Sequence, residues 1–121
     1  PGEKIIFTNG SKKHAERVIE RLGVKNNFKK IFDIVDCDFI PKPEIEPYQK
    51  IVKKFNIKCE NSIFIEDIAR NLEPAHNMGM KTAWIESDDP YCKKGFDGNH
   101  IHYIVKNLTD FLKQTNKFIG Q

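Results

Sequence analysis

No apolar run in this 121-residue chain is long: stretches such as Ile63-Phe64-Ile65 are typical, far short of the roughly 18 residues a bilayer-spanning helix needs. A transmembrane helix is excluded on that ground. Cysteine is scarce, and Cys37, Cys59 and Cys92 are odd in number, widely spaced and without a C-x-x-C pair. A disulfide framework is therefore not expected, and a reducing, cytoplasmic setting fits best. The first ten residues hold no methionine and no succession of basic, apolar and small regions, so a signal peptide is absent from them and residue 1 reads as other than a natural translation start. Arginine-rich or aromatic-interleaved stripes are also missing. The formal charge of +3 and pI near 8.8 come from lysine pairs scattered among acids, which reads as a solvated surface and not as a nucleic-acid groove.

What is present is enough to fold. The chain is 39% hydrophobic and 31% charged with a mean hydropathy of −0.56, a composition that closes one core and makes a single domain over residues 1–121 the expectation. Short β-type runs alternate with helical stripes throughout, the pattern of a parallel sheet with helices on both faces. Lys4-Ile-Ile-Phe reads as a strand, and Ala15, Val18, Ile19 and Leu22 as one helix face closed by Gly23. Phe32-Asp-Ile-Val reads as a second strand, and Pro47 to Phe55 as a helix fading at Asn56. Ser62 to Asp67 is the clearest strand, followed by a short helix to Gly79 and a strand over Lys81–Ile85. Glu86 to Asn99 reads as loop, His100 to Val105 as a last strand, and Leu108, Phe111 and Leu112 as the face of a closing helix.

In open α/β sheets ligands sit at the carboxyl ends of strands, so the polar residues that follow an apolar strand carry the weight. Three such endings stand out. Thr8-Asn9-Gly10-Ser11 combines a hydroxyl with the N–H groups of a tight turn, suited to a phosphate or, more blandly, to a helix cap. Lys42-Pro43 precedes a helix and could set a point charge on a phosphoryl group, or be one more solvated lysine. Glu66-Asp67, with Asn71 beyond, ends the clearest strand in two adjacent acids, and such hard oxygen ligands suit Mg2+. His100, His102 and Cys92 lack a fourth zinc ligand at usual spacing. Trp84 reads as packing, and His14 and His76 as helix-surface or core-edge residues.

Taken in order, Thr8-Asn9-Gly10, then Lys42-Pro43, then Phe64-Ile-Glu-Asp-x-x-x-Asn71 resembles motifs II, III and IV of the haloacid dehalogenase superfamily of phosphatases. The runs Ile6 to Arg17, Cys37-Asp38 with Lys42-Pro43, and Phe64 to Asp67 with Gly79-Met80-Lys81-Thr82 look most like its pyrimidine 5′-nucleotidase branch. A receiver domain uses Asp, Thr and Lys on a similar sheet, but in the reverse order. The resemblance implies a Rossmann-like α/β core and a Mg2+-dependent hydrolase converting a phosphorylated small molecule, such as a nucleoside 5′-monophosphate, to alcohol and phosphate. It implies that Thr8, Asn9, Gly10 and Lys42 bind the phosphoryl group, with Lys42 also serving the chemistry. It further implies that Asp67, with Glu66 and Asn71, forms or supports the metal shell. Ile68 stands where the family usually has a small polar residue.

The family's attacking aspartate and its acid/base partner lie in an Asp-x-Asp-x-(Thr/Val) motif upstream of Thr8, before this chain begins. Asp36-Cys37-Asp38 imitates the spacing at the wrong place and reads as loop near the site entrance. The cap that selects substrate precedes Thr8 as well. The expectation is then a partial core that is inactive by itself, its sheet completed by a missing N-terminal segment or a second copy. The rival is a truncated, non-catalytic module that binds phosphate or a protein.

Overall fold

The computed structural model describes residues 3–111 apart from 22, 24 and 29. The chain divides into two compact units, residues 1–51 and 52–121, each taken here by itself.

In the first unit, β1 (Ile5–Phe7) pairs in parallel with β2 (Lys30–Phe32), Ile6 opposite Ile31. The connection is α1 (Lys12–Arg21), which buries Ala15 and Ile19. Ser11 starts α1, its hydroxyl accepting the His14 N–H at 3.1 Å, and Gly23 follows at φ +71° where a Cβ would be strained. Leu22 lies outside the described residues. The core forms where Phe7 meets Phe32 and Tyr48 edge to face, at 5.8 and 5.2 Å between centroids. Tyr48 comes from α2 (Ile45–Lys54), which begins before the expected Pro47. Asn56 then turns left-handed at φ +50°, letting the Ile57 N–H reach back to the Val52 carbonyl at 2.9 Å.

β2 departs from expectation, ending at Phe32 where the sequence pattern carries it to Val35. The cause is Asp33, whose carboxylate accepts the Asp36 N–H at 3.0 Å while its own N–H donates to the Asp36 carboxylate at 2.9 Å. Side chains thereby replace the strand ladder and turn the chain. Asp36 is thus a turn residue, and Asp38, left-handed at φ +53°, is exposed and paired with Lys50.

In the second unit, β3 (Ile63–Glu66), β4 (Lys81–Ile85) and β5 (Tyr103–Val105) make a parallel sheet in that order. Between β3 and β4 run a 3-10 turn over Ala69–Leu72 and α3 (Glu73–Asn77), closed by Gly79 at φ +97°. Central β4 is the apolar heart, Thr82, Ala83 and Trp84 all buried, and Trp84 packs with Ala69, Leu72, Phe64 and Ile101. The segment read as loop contains one short helix, α4 (Pro90–Lys93), started by Asp89, whose carboxylate accepts the Tyr91 N–H at 2.8 Å. Asn107 starts helical backbone over 108–111, and the rest of the expected closing helix, including Leu112, lies outside the described residues.

The architecture is thus parallel sheet with helices, the Rossmann-type α/β arrangement. β1 and β3 belong to separate sheets, each paired along one side only among the described residues. Their residues are at best half-buried, in contrast with β4. The three cysteines are free thiols, and no described helix is long and apolar enough to cross a membrane.

β5 is attached partly through a histidine. His102 is exposed as a whole, but its Nδ1 edge lies against fully buried Thr82 and accepts the Thr82 N–H at 3.0 Å. Burial of that edge, then the Lys81 and His76 charges, hold its pKa below the ordinary 6.5. The folded form therefore binds the proton less readily than the unfolded chain. The associated stability is present above pH 6.5 and is lost as pH falls from there toward the folded pKa. The urea midpoint is expected to drop between pH 7.5 and 5.5, with a smaller drop in His102→Gln; equal drops would remove His102 from the account.

Candidate functional site

The site residues of the first unit gather at the end of β1. Thr8 continues the ladder, its N–H donating to the Phe32 carbonyl at 3.0 Å, and its hydroxyl accepts the Gly10 N–H at 2.9 Å. The Gly10 N–H, expected at a phosphoryl group, is here engaged with Thr8. The same bond orients Thr8, because a hydroxyl that accepts one N–H keeps its own O–H for donation.

Asn9 and Lys42 are joined across 33 residues. The Lys42 N–H donates to Asn9 Oδ1 at 2.8 Å, and Asn9 Nδ2 donates to the Lys42 carbonyl at 3.3 Å. Lys42, whose bond to Pro43 is cis, is only 8% exposed; its Nζ donates to the Phe7 carbonyl at 2.8 Å and stands 4.7 Å above the Phe7 ring. Asn9 is therefore a clamp on the Lys42 backbone. Asn9→Ala, which removes both bonds, is expected to lower stability by about 1–3 kcal/mol in urea unfolding. Asn9→Asp, keeping the acceptor, should lose less. Equal midpoints in all three would deny the clamp.

Asp33 was not singled out by the sequence reading. It is buried, and it accepts the Lys12 N–H at 2.9 Å while the Ile34 N–H donates to the Gly10 carbonyl at 3.1 Å. The Asp36 N–H above all, with Lys12 adding, holds its carboxyl below the usual carboxylate range against the opposing effect of burial. An acid directly after an apolar strand was the available signal, the same one that marks Glu66-Asp67. Next to it the Cys37 thiol is pushed up by burial, then by Asp36 and Asp33, and stays protonated.

In the second unit, Glu66, Asp67 and Asn71 meet at the end of β3. Glu66 Oε1 accepts Asn71 Nδ2 at 3.0 Å and its Oε2 accepts the Asp67 N–H at 3.1 Å. Asn71, 3% exposed, thus orients Glu66 through its amide. Asp67 is exposed, and the Trp84 indole N–H donates to its carbonyl at 2.8 Å. The Cys92 thiol is pushed up by burial, then by the Asp67 and Asp89 charges, so the local field is negative.

These residues fit a hard divalent cation in donor type: carboxylate oxygens, one exposed and one fixed by an amide. No three His, Cys, Asp or Glu residues among the described ones form a metal-holding group; Glu66 and Asp67 are two such donors side by side. His100 is engaged elsewhere, its Nε2 lying 3.0 Å from the Ala69 carbonyl. A Cβ on Gly98 would fall 2.5 Å from His100 Nδ1, so a larger residue there would displace the ring.

With this arrangement in view, comparison with known proteins is decisive. The model of the haloacid dehalogenase-like hydrolase family matches residues 4–85, more than half of the chain and both groups of site residues. The chain belongs to that family. Among its curated relatives, the glyceraldehyde 3-phosphate phosphatase of Pyrococcus furiosus is 32% identical over 110 residues, covering 89% of this chain and 45% of that protein. The chain thus spans less than half the length of the curated relatives it matches. L-2-haloacid dehalogenase from Xanthobacter autotrophicus superposes with a TM-score of 0.71 at 14% identity, over 96% of this chain and 56% of that one. The HAD-hydrolase YfnB from Bacillus subtilis, solved bound to magnesium, gives 0.71 at 20% identity over 98% and 50%. These two show the fold.

Proposed function

We propose that the chain is part of a Mg2+-dependent phosphomonoester hydrolase. The observation that carries this reading is Lys42, a buried ammonium at a strand-to-helix junction with its backbone clamped by Asn9. An ammonium held in place at a strand end is suited to stabilise the negative charge of a phosphoryl group that docks beside it. Thr8 donates its O–H and the Asn9 backbone its N–H to phosphoryl oxygens. An ammonium has three N–H donors, so Lys42 can serve a phosphoryl oxygen as well as the Phe7 carbonyl. Asp67 holds the cation, with Glu66 set by Asn71, and the bound ion neutralises charge on phosphoryl oxygens. The magnesium in the Bacillus subtilis neighbour supports that choice.

The nucleophile in this reading is an aspartate outside these 121 residues, on a strand segment, from the same protein or from a second copy, that completes the sheet. The residues by themselves then turn over p-nitrophenyl phosphate at background only. Light scattering with and without the strand as a peptide reports the pairing.

The substrate is a small phosphorylated metabolite. The named activity of the Pyrococcus furiosus relative supports a triose phosphate, while a nucleoside 5′-monophosphate is what the nucleotidase resemblance implies. The free thiols agree with a reducing cytoplasmic setting. The test is a phosphate-release assay on the protein completed with the nucleophile segment, with glyceraldehyde 3-phosphate and nucleoside 5′-monophosphates offered in parallel, with Mg2+ or EDTA. Mg2+-dependent release is the expected result. Phosphate binding without turnover would instead identify the non-catalytic module, and turnover unaffected by EDTA would remove the metal.

A further inference from the structure

Trp84 stands on β4 directly opposite Glu66 in the ladder, and its side chain is 2% exposed among Ala69, Leu72, Phe64 and Ile101. Packing alone would be satisfied by any large apolar ring. The indole does one thing a phenyl ring cannot: its N–H donates to the Asp67 carbonyl at 2.8 Å. Phe96 packs against the indole as well, the ring planes tilted by 34° and the centroids 5.5 Å apart.

A residue has two soft backbone dihedrals, one for each flanking peptide plane. At Asp67 both planes are held. The plane before it is tied through the Asp67 N–H to Glu66 Oε2 at 3.1 Å, and the plane after it through the Asp67 carbonyl to Trp84. Fixing both planes fixes the direction of the Cα–Cβ bond, and with it the arc the carboxylate can sweep. The turn beyond is tied down in the same way, the Asn71 N–H donating to the Ile68 carbonyl at 2.9 Å and His100 Nε2 meeting the Ala69 carbonyl at 3.0 Å. The exposed carboxylate therefore sits on rigid backbone, which a weakly preorganised shell of two acids requires.

We propose that Trp84 is a positioning residue for cation binding at Asp67, acting through its indole N–H. This rests on the metal reading given above and deepens it. The experiment is a calorimetric Mg2+ titration of the protein completed with the nucleophile segment, in four forms: wild type, Trp84→Phe, Asp67→Asn, and a form with β-(3-benzothienyl)alanine at position 84. The last replaces the N–H by sulfur and keeps the shape of the ring, so packing is preserved where phenylalanine leaves a gap. Losing an outer partner of a metal ligand commonly costs about tenfold or more in affinity. The dissociation constant is expected to rise about tenfold in both position-84 variants, and by circular dichroism the benzothienyl form should match the wild-type fold. A benzothienyl form that binds Mg2+ as tightly as wild type overturns the role of Trp84 while leaving the metal reading intact, whether or not Trp84→Phe folds. Absence of binding by the wild type, or undiminished binding by Asp67→Asn, overturns the metal reading and this inference with it.

Discussion

Lys42→Ala is expected to slow phosphomonoester hydrolysis about a hundredfold or more in the nucleophile-bearing enzyme. The size follows from where the charge sits. Two unit charges about 4 Å apart interact by about 4 kcal/mol at an effective dielectric constant near 20, and a hundredfold in rate needs only about 2.7 kcal/mol. The substitution also removes the bond from Nζ to the Phe7 carbonyl, the contact of Nζ with the Phe7 ring and the buried stem, so a loss of stability is expected alongside. Lys42→Met separates the two effects, since it keeps most of the stem and none of the charge. Its rate should fall as far as that of Lys42→Ala, with an unfolding midpoint nearer to wild type. A methionine variant with near-wild-type turnover would show that the ammonium supports the loop and does not touch the phosphoryl group.

Asp67→Asn should raise the Mg2+ concentration needed for half-maximal rate at least tenfold, because a hard divalent cation loses an anionic ligand and keeps only a neutral oxygen. The exchange is nearly isosteric, and the bonds of Asp67 to Glu66 and Trp84 are made by its backbone. The fold is therefore expected to survive with little change in midpoint, so that a failure to respond to Mg2+ can be read as loss of the ligand. Rate against Mg2+ concentration, measured on both proteins, decides; superimposable curves would move the cation site away from Asp67.

How much of this was legible beforehand depends on the range of the interaction. β4 reads directly as Lys81–Ile85, since an apolar run after Gly79 and Met80 is a local signal, and Gly23 and Gly79 both adopt the left-handed turn their positions imply. β2 does not, because what ends it is the exchange of hydrogen bonds between Asp33 and Asp36, and hydrophobic periodicity has no register for side chains that imitate a ladder. Strand-end logic finds Thr8, Lys42, Glu66 and Asp67 as candidates, each lying beside an apolar run. It does not find that Asn9 grips Lys42 or that Trp84 grips Asp67, because these join residues far apart in sequence through backbone atoms every residue possesses. Composition shows that a tryptophan is there; only the fold shows what its N–H meets.

Gly98 has a bearing on how such a chain can vary. A side chain there would begin 2.5 Å from His100 Nδ1, and His100 could yield only by withdrawing its other ring nitrogen from the Ala69 carbonyl. The position is half-buried, and by composition it looks like an interchangeable loop residue. Yet the smallest possible enlargement there would be transmitted, through one imidazole, to the turn that follows Asp67. A residue larger than glycine at position 98 accordingly displaces the His100 ring, so the two positions should be exchanged as a pair when loops are transplanted between related chains.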